Sequence, residues 1–188
     1  MTDSKKRQPM NAGLVEAALR RHVDHHANTL IPEAEVMWAA LGKRGIYRAD
    51  FMSISRAGYG TEFEVKVSLA DWRRDLAKPK LLNMPDWVSR FVYVVPEVLG
   101  VPDFAPAWSG VWHVVPRIVT LDKYTDEERQ GADGYEIVQA RAPRARGNSK
   151  VPRVVVDRWM QSFYYRYWNQ RIHAERRIAR HVREGVAT

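Results

Sequence analysis

Glu64 and Lys66 stand two residues apart in the stretch TEFEVKVSLADWRRDLAKPK, residues 61–80, and Asp50 stands fourteen residues before Glu64. Alternation over 61–68 predicts a strand. Phe63, Val65 and Val67 fall on one face, and Glu62, Glu64, Lys66 and Ser68 on the other, the pattern of a half-exposed strand. The turn sequence RAGYG, 56–60, makes the preceding strand, 50–55, its antiparallel neighbour. Asp50 then approaches Glu64. Two carboxylates held together repel, and one stays protonated unless a cation joins them. Mg²⁺ resolves that conflict, because it takes hard oxygen ligands and keeps room for water and substrate phosphate. Lys66 lies about 6–7 Å further along the same face, within reach of a water or a phosphate oxygen. Such a trio suits phosphodiester hydrolysis, with the metal as Lewis acid and the lysine on the developing charge. The competing explanation is an ordinary ionic strand face, since Glu-x-Lys alone is a common pattern.

The elements that must position these residues follow from periodicity. An apolar stripe of Leu14, Val15, Ala18, Leu19 and Val23 predicts a helix over 11–26. Strands are expected over 33–40, 50–55 and 61–68, with LGKRGIYR, 41–48, as a turn between the first two. Ser68 and Asp71 have N-cap and N3 spacing, so a second helix starts near Ser68, and it should end or kink at Pro79. On that helix Asp71, Asp75 and Lys78 share one face, either as an exposed ion-paired stripe or as support for Lys66. The run 91–95 reads as a buried strand, 111–115 as a fifth and 135–140 as a sixth. An acidic loop covers 122–134, and a long helix covers 153–183. Helix, three-strand meander, helix, strands, helix predicts an α/β fold with a mixed central sheet flanked by helices. The meander excludes a Rossmann repeat, and no Gly-rich phosphate loop is present.

Asp50 followed by Glu64-Val65-Lys66 resembles the PD-(D/E)XK nuclease superfamily. The continuation Ser68, Asp71, Asp75 and Lys78 resembles the MmcB-type DNA repair proteins within it. The resemblance covers roughly residues 11–120 and is densest over 45–95, although Ala49 stands where the motif's proline would be. It implies a restriction-endonuclease-like core and a Mg²⁺-dependent deoxyribonuclease, with Mn²⁺ as an alternative metal. Asp50 and Glu64 would then be metal ligands with the Val65 carbonyl, and Glu16 on the first helix would stand near the metal. Lys66 would orient or activate the attacking water, and Ser68, Asp71, Asp75 and Lys78 would form a supporting layer.

Charge points the same way. The chain of 188 residues has a net charge of +8. Residues 141–188 hold twelve Lys/Arg against three carboxylates, whereas the rest of the chain is nearly neutral. A polyanion gains from such a cluster through counterion release, while a solvated basic helix is the plain alternative. The candidate nucleic-acid contacts are Lys43, Arg44, Arg48, Arg144, Arg146, Lys150, Arg171, Arg176, Arg177 and Arg180. Trp159, Phe163, Tyr167, Trp168 and Ile172 predict a packing stripe on the last helix, or a surface that docks a protein partner. His22 and His26 have zinc-like spacing, but with no third ligand they read as a solvated helix end, and His113 reads as a satisfied core residue.

The absence of cysteine excludes disulfides and thiolate metal sites and fits a reducing compartment. The apolar runs are too short to span a bilayer, and no signal peptide is evident, so a cytoplasmic protein is expected. The expected organisation is a tail over 1–9, a nuclease-like core over 10–140, a basic linker over 141–152 and a C-terminal helix over 153–188 packed on the core. DNA is the expected partner, in repair or recombination, and a homodimer or a protein partner is left open. The alternatives are a catalytically inactive DNA-binding module of the same fold, or an adaptor using the aromatic helix.

Overall fold

The computed structural model describes residues 10–40, 43–116 and 134–185. The tail over 1–9 and, apart from Gly134, the acidic loop over 122–134 lie outside them. The first helix, α1, spans Ala12–His22 and opens at Asn11, whose side chain accepts from Leu14 N at 3.0 Å. It buries Val15, Ala18 and Leu19. It ends earlier than its apolar stripe suggests, because Asp24 accepts a hydrogen bond from His26 N at 2.8 Å and closes a competing local turn.

Two thirteen-residue strands follow, β1 (Asn28–Ala40) and β2 (Lys43–Ser55), paired antiparallel from Asn28↔Ser55 to Ala40↔Lys43. The turn expected over 41–48 is therefore mostly strand, from Lys43 onward, with residues 41 and 42 outside the described ones. Gly45 carried that expectation. It faces Trp38 across the pair, and a Cβ there would sit 2.6 Å from the indole, so this glycine makes room for a ring. The RAGYG turn forms as expected. Gly58, at φ +88°, donates to Ser55 O at 2.8 Å and leads into β3 (Gly60–Val65).

Ser68 caps α2 (Leu69–Leu76), its hydroxyl accepting from Asp71 N at 3.2 Å. The chain leaves α2 at Ala77 and turns again after Pro79 into a single-turn helix, α3 (Lys80–Asn83). Strand β4 (Val88–Pro96) is buried along its length except at Arg90, as its continuous apolar run predicts for a strand covered on both faces. A 3₁₀ turn (Glu97–Leu99), β5 (Gly110–Pro116) and β6 (Tyr135–Arg141) complete a six-stranded mixed sheet in the order β1-β2-β3-β4-β5-β6. Strand β4 runs parallel to β3 and β5, and the other neighbours are antiparallel.

One face of the sheet, carrying Phe51, Phe63, Val65, Val92, Val94 and Val114, packs against Val15, Ala18 and Leu19 of α1. The opposite face carries Glu62 and Glu64, aligned with Phe91 and Tyr93 of β4. Aromatic contacts close over it: Trp72 of α2 lies 4.8 Å from Tyr93, and Trp108 lies 5.7 Å from Phe91.

Two compact units divide the chain, Met1–Val151 and Pro152–Thr188. The stretch expected as a linker is, up to Val151, laid down on the first unit. Arg144 N donates to Trp108 O, Arg146 N to Ser89 O and Val151 N to Gly58 O, all at 2.8–2.9 Å. Gly147 passes so close to Asp86 that any side chain would collide with the Asp86 backbone. The second unit is the helix α4 (Arg153–Gly185). No helix among the described residues is long and apolar enough to cross a membrane.

The Ser68 hydroxyl holds the start of the helix that presents Asp71 and Asp75. Ser68→Ala should lower stability by about 1 kcal/mol and Ser68→Asp by much less, read as shifts of the urea midpoint.

Candidate active site

The polar face of β3 is buried. Glu62, Glu64 and Lys66 are exposed by only 0, 3 and 4%. The alternation that predicted a half-exposed strand is present, but α2 and α3 roof its polar side, so the charged groups must satisfy one another without water.

Asp50 lies one step beyond the last β2–β3 pair, Phe51↔Phe63, which places it opposite Glu64. Its carboxylate accepts the Val65 N–H at 2.8 Å and so ends the ladder with a side chain in place of a backbone carbonyl. Lys66 bends back to donate to Glu64 Oε1 at 2.7 Å. Its ammonium also lies 3.5 Å from Asp75 and 3.8 Å from Asp71. Asp75 is fully buried, receives Lys78 at 2.8 Å and accepts from the Tyr93 hydroxyl at 3.4 Å. The stripe on α2 is thus not a solvated one. Asp75 anchors Lys66, Lys78 reaches in from the rim, and Asp71 stands half-exposed between Lys66 and Arg74.

Three further groups belong to the cluster and were not singled out from sequence. Lys80, 5% exposed, brings its ammonium to 2.6 Å from Glu64 Oε2, 3.4 Å from Asp75 and 4.0 Å from Glu62. The Tyr47 hydroxyl donates to Glu62 at 2.6 Å, and Tyr93 closes the Asp75 side. Lys80 was hidden because helical spacing stops being readable at Pro79, whereas its charge enters through the extra turn of α3. Glu62 was legible as a neighbour of Glu64 on the same strand face. Tyr47 lies in the segment expected to be a turn.

Burial pushes the Glu62 carboxyl up to about 8, against the pull of Lys80 and the Tyr47 hydrogen bond. Desolvation alone would lower the Lys80 ammonium, but Glu64, Glu62 and Asp75 together raise it. Lys66 behaves in the same way under Glu64 and Asp75. Burial would raise Asp75, yet Lys80, Lys78 and Lys66 hold it below the usual carboxylate range. Burial raises Glu64, with Lys80 opposing it. At neutral pH, Glu62 then keeps its proton, and Glu64 and Asp75 face Lys66 and Lys80. The dry part of the cluster balances at two charges of each sign.

Among the described residues no group of three or more His, Cys, Asp or Glu side chains is arranged to hold a metal. The expected donor set has two such side chains, Asp50 and Glu64, plus the Val65 carbonyl. Its chemistry fits a hard divalent cation, and Glu64 Oε2 is a buried oxygen that receives no hydrogen bond, since Lys80 approaches it without hydrogen-bonding geometry. Glu16 does not join this set. Its helix packs on the opposite sheet face, and no described hydrogen bond or ion pair links it to the cluster.

The other candidates are dispersed. Arg44 and Arg48 are exposed on β2, and the Lys43 side chain lies outside the description. Arg144, Arg146 and Lys150 are exposed on the strap, Arg146 with its guanidinium 4.7 Å from the Trp108 ring centre. Arg171, Arg176, Arg177 and Arg180 are exposed on α4, Arg171 paired with Glu175 at 3.3 Å. His22 and His26 share no helix face, because α1 stops at His22. The His113 ring meets Gly100 O at 3.1 Å, as a satisfied residue should.

No protein-family model matches the chain, and no curated protein matches it significantly in sequence. Among solved structures the chain is similar to SPO1766, a protein of unknown function from Silicibacter pomeroyi. The two are 21% identical, over 91% of this chain and 93% of that one, with a TM-score of 0.53. The likeness is one of fold.

Lys80→Met removes one member of a buried ionic set and should cost about 3–5 kcal/mol in urea unfolding. Glu62 carries a distinct pH signature. Its carboxyl titrates near 4.5 when unfolded and about 8 when folded, so the folded state holds the extra proton between those values. Its contribution is intact below that window and is lost as pH rises through it. The stability of the wild type relative to Glu62→Gln should therefore fall from about pH 5 to about pH 8 and level off above, measured by urea midpoints across pH.

Proposed function

We propose that this protein is a divalent-metal-dependent nuclease that hydrolyses DNA phosphodiester bonds in repair or recombination. One observation carries the reading: Asp50, Glu64 and Lys66 come from two strands to one spot, with Asp50 fixed on Val65 N at 2.8 Å and Lys66 on Glu64 at 2.7 Å. A restriction-endonuclease-like core is the finer reading of the fold. It is supported by the order of α1, the β1–β2–β3 meander, α2 and the parallel strand β4.

In this reading Asp50 and Glu64 hold the metal with the Val65 carbonyl. A bound Mg²⁺ or Mn²⁺ would supply Lewis acidity and lower the pKa of an attacking water. Asp75 and Asp71 hold the Lys66 ammonium toward Glu64, where it can orient water or meet charge developing on phosphate. The roof of Trp72 and Tyr93 keeps solvent from the inner side, and half-exposed Asp50 marks the open side. The basic residues of β2 and the strap offer backbone contacts that carry no sequence information.

A second reading is a DNA-binding module of the same fold without hydrolysis. It is favoured by Lys80, which already sits 2.6 Å from the Glu64 oxygen a metal would use.

Labelled single-stranded, duplex and branched DNA, incubated with Mg²⁺ or Mn²⁺, decides between them. The nuclease reading expects cutting that needs metal and falls about a hundredfold or more in Lys66→Met and Glu64→Gln, with both variants folded by circular dichroism. If the wild type retards DNA in a salt-sensitive way and cuts none of the three, the binding module stands instead.

A further inference from the structure

The helix α4 carries an arrangement that the candidate site leaves unused. From Arg158 to Ala174 it contains no carboxylate, and within that span it exposes five aromatic rings. Tyr164, Tyr165 and Tyr167 are about 60% exposed, Trp168 45% and Phe163 36%. The sequence pattern predicted that Phe163, Tyr167 and Trp168 would pack, and of that stripe Trp159 is the ring that is buried. Large exposed apolar groups gathered in one place mark a binding surface.

The rings have an order. Tyr164, Tyr167, Trp168 and Arg171 stand at i, i+3, i+4 and i+7 and share one face of the helix. Trp168 meets Tyr164 at 6.1 Å and Tyr167 at 5.4 Å, both edge to face. Edge contacts support the rings while leaving ring faces open, and an open face is what an unpaired base stacks upon. Arg171, one turn on, supplies a cation for the strand's phosphates.

Charge selects among occupants. Helix α4 has eight arginines against three carboxylates, so pairing it with a second copy would set like charges side by side. A polyanion meets no such repulsion. Duplex DNA offers phosphates too, but its base faces are already stacked on one another. We propose that the Tyr164–Tyr167–Trp168–Arg171 face of α4 binds single-stranded nucleic acid, stacking unpaired bases on its rings and pairing the backbone with arginine.

The test is fluorescence anisotropy with the full chain, a labelled oligothymidine and a duplex of equal length. EDTA is present, so binding is read apart from any hydrolysis. Tighter binding of the single strand is expected, with Trp168→Ala and Tyr164→Ala each weakening it about fivefold or more, Trp168→Phe retaining most of it, and the duplex affinity unmoved. All these positions are exposed, and helix content by circular dichroism checks that the variants fold. Equal affinity for both probes, or alanine variants that bind like the wild type, would overturn the proposal and leave a merely basic surface. Concentration-dependent dimerisation in sedimentation that Trp168→Ala abolishes, without a single-strand preference, would overturn it in favour of a self-association face.

Discussion

Burying charge without burying net charge is the constraint on which this fold turns. One side of β3 places Glu62, Glu64 and Lys66 where water cannot follow, and an isolated ion there would cost several kcal/mol. The protein answers with composition and protonation together. Lys80 and Lys66 meet Glu64 and Asp75, and Glu62 is left as the neutral acid that accepts the Tyr47 hydroxyl. A change in any one of these groups alters the charge state the others can keep.

The surrounding architecture follows from that need. Helix α2 must begin where Ser68 caps it so that Asp75, two turns on, enters the dry region beneath Trp72 and Tyr93. The chain then has to stop being one helix, because a continued α2 would carry position 80 around the axis and away from the sheet. Pro79 breaks it, and the single turn of α3 returns Lys80 to the carboxylates. On the other side Asp50 replaces a ladder carbonyl, so β2 leaves β3 at the point where the two acids face each other while it stays paired with β1.

Much of this was legible in the sequence. The meander, the RAGYG turn, the Ser68 cap, the break at Pro79 and the buried strand around 91–95 all follow from periodicity and turn chemistry, and the structure has them. The trio Asp50, Glu64 and Lys66 was legible through strand alternation and the shortness of the turn. What was not legible depends on tertiary contact. Gly45 looked like a turn residue and proved to be a slot for the Trp38 ring. Glu62 looked solvated because alternation cannot say whether a polar face has a roof. Lys80 stood two residues past the point where helical spacing ends, and nothing local tells that its charge points back. The basic stretch after Arg141 looked like a linker by composition, yet its backbone is hydrogen-bonded to the core at Trp108, Ser89 and Gly58.

The two buried lysines also have an entropic consequence. A lysine in water samples many rotamers, and fixing its side chain costs about 1.5–2 kcal/mol. Lys66 and Lys80 both give up that freedom to hold the two oxygens of one carboxylate from different directions. The ionic contacts must first offset this loss and the dehydration, so the cluster adds little net stability. Its product is immobility: Glu64 is held in one orientation before any partner arrives, and binding there does not have to order it again.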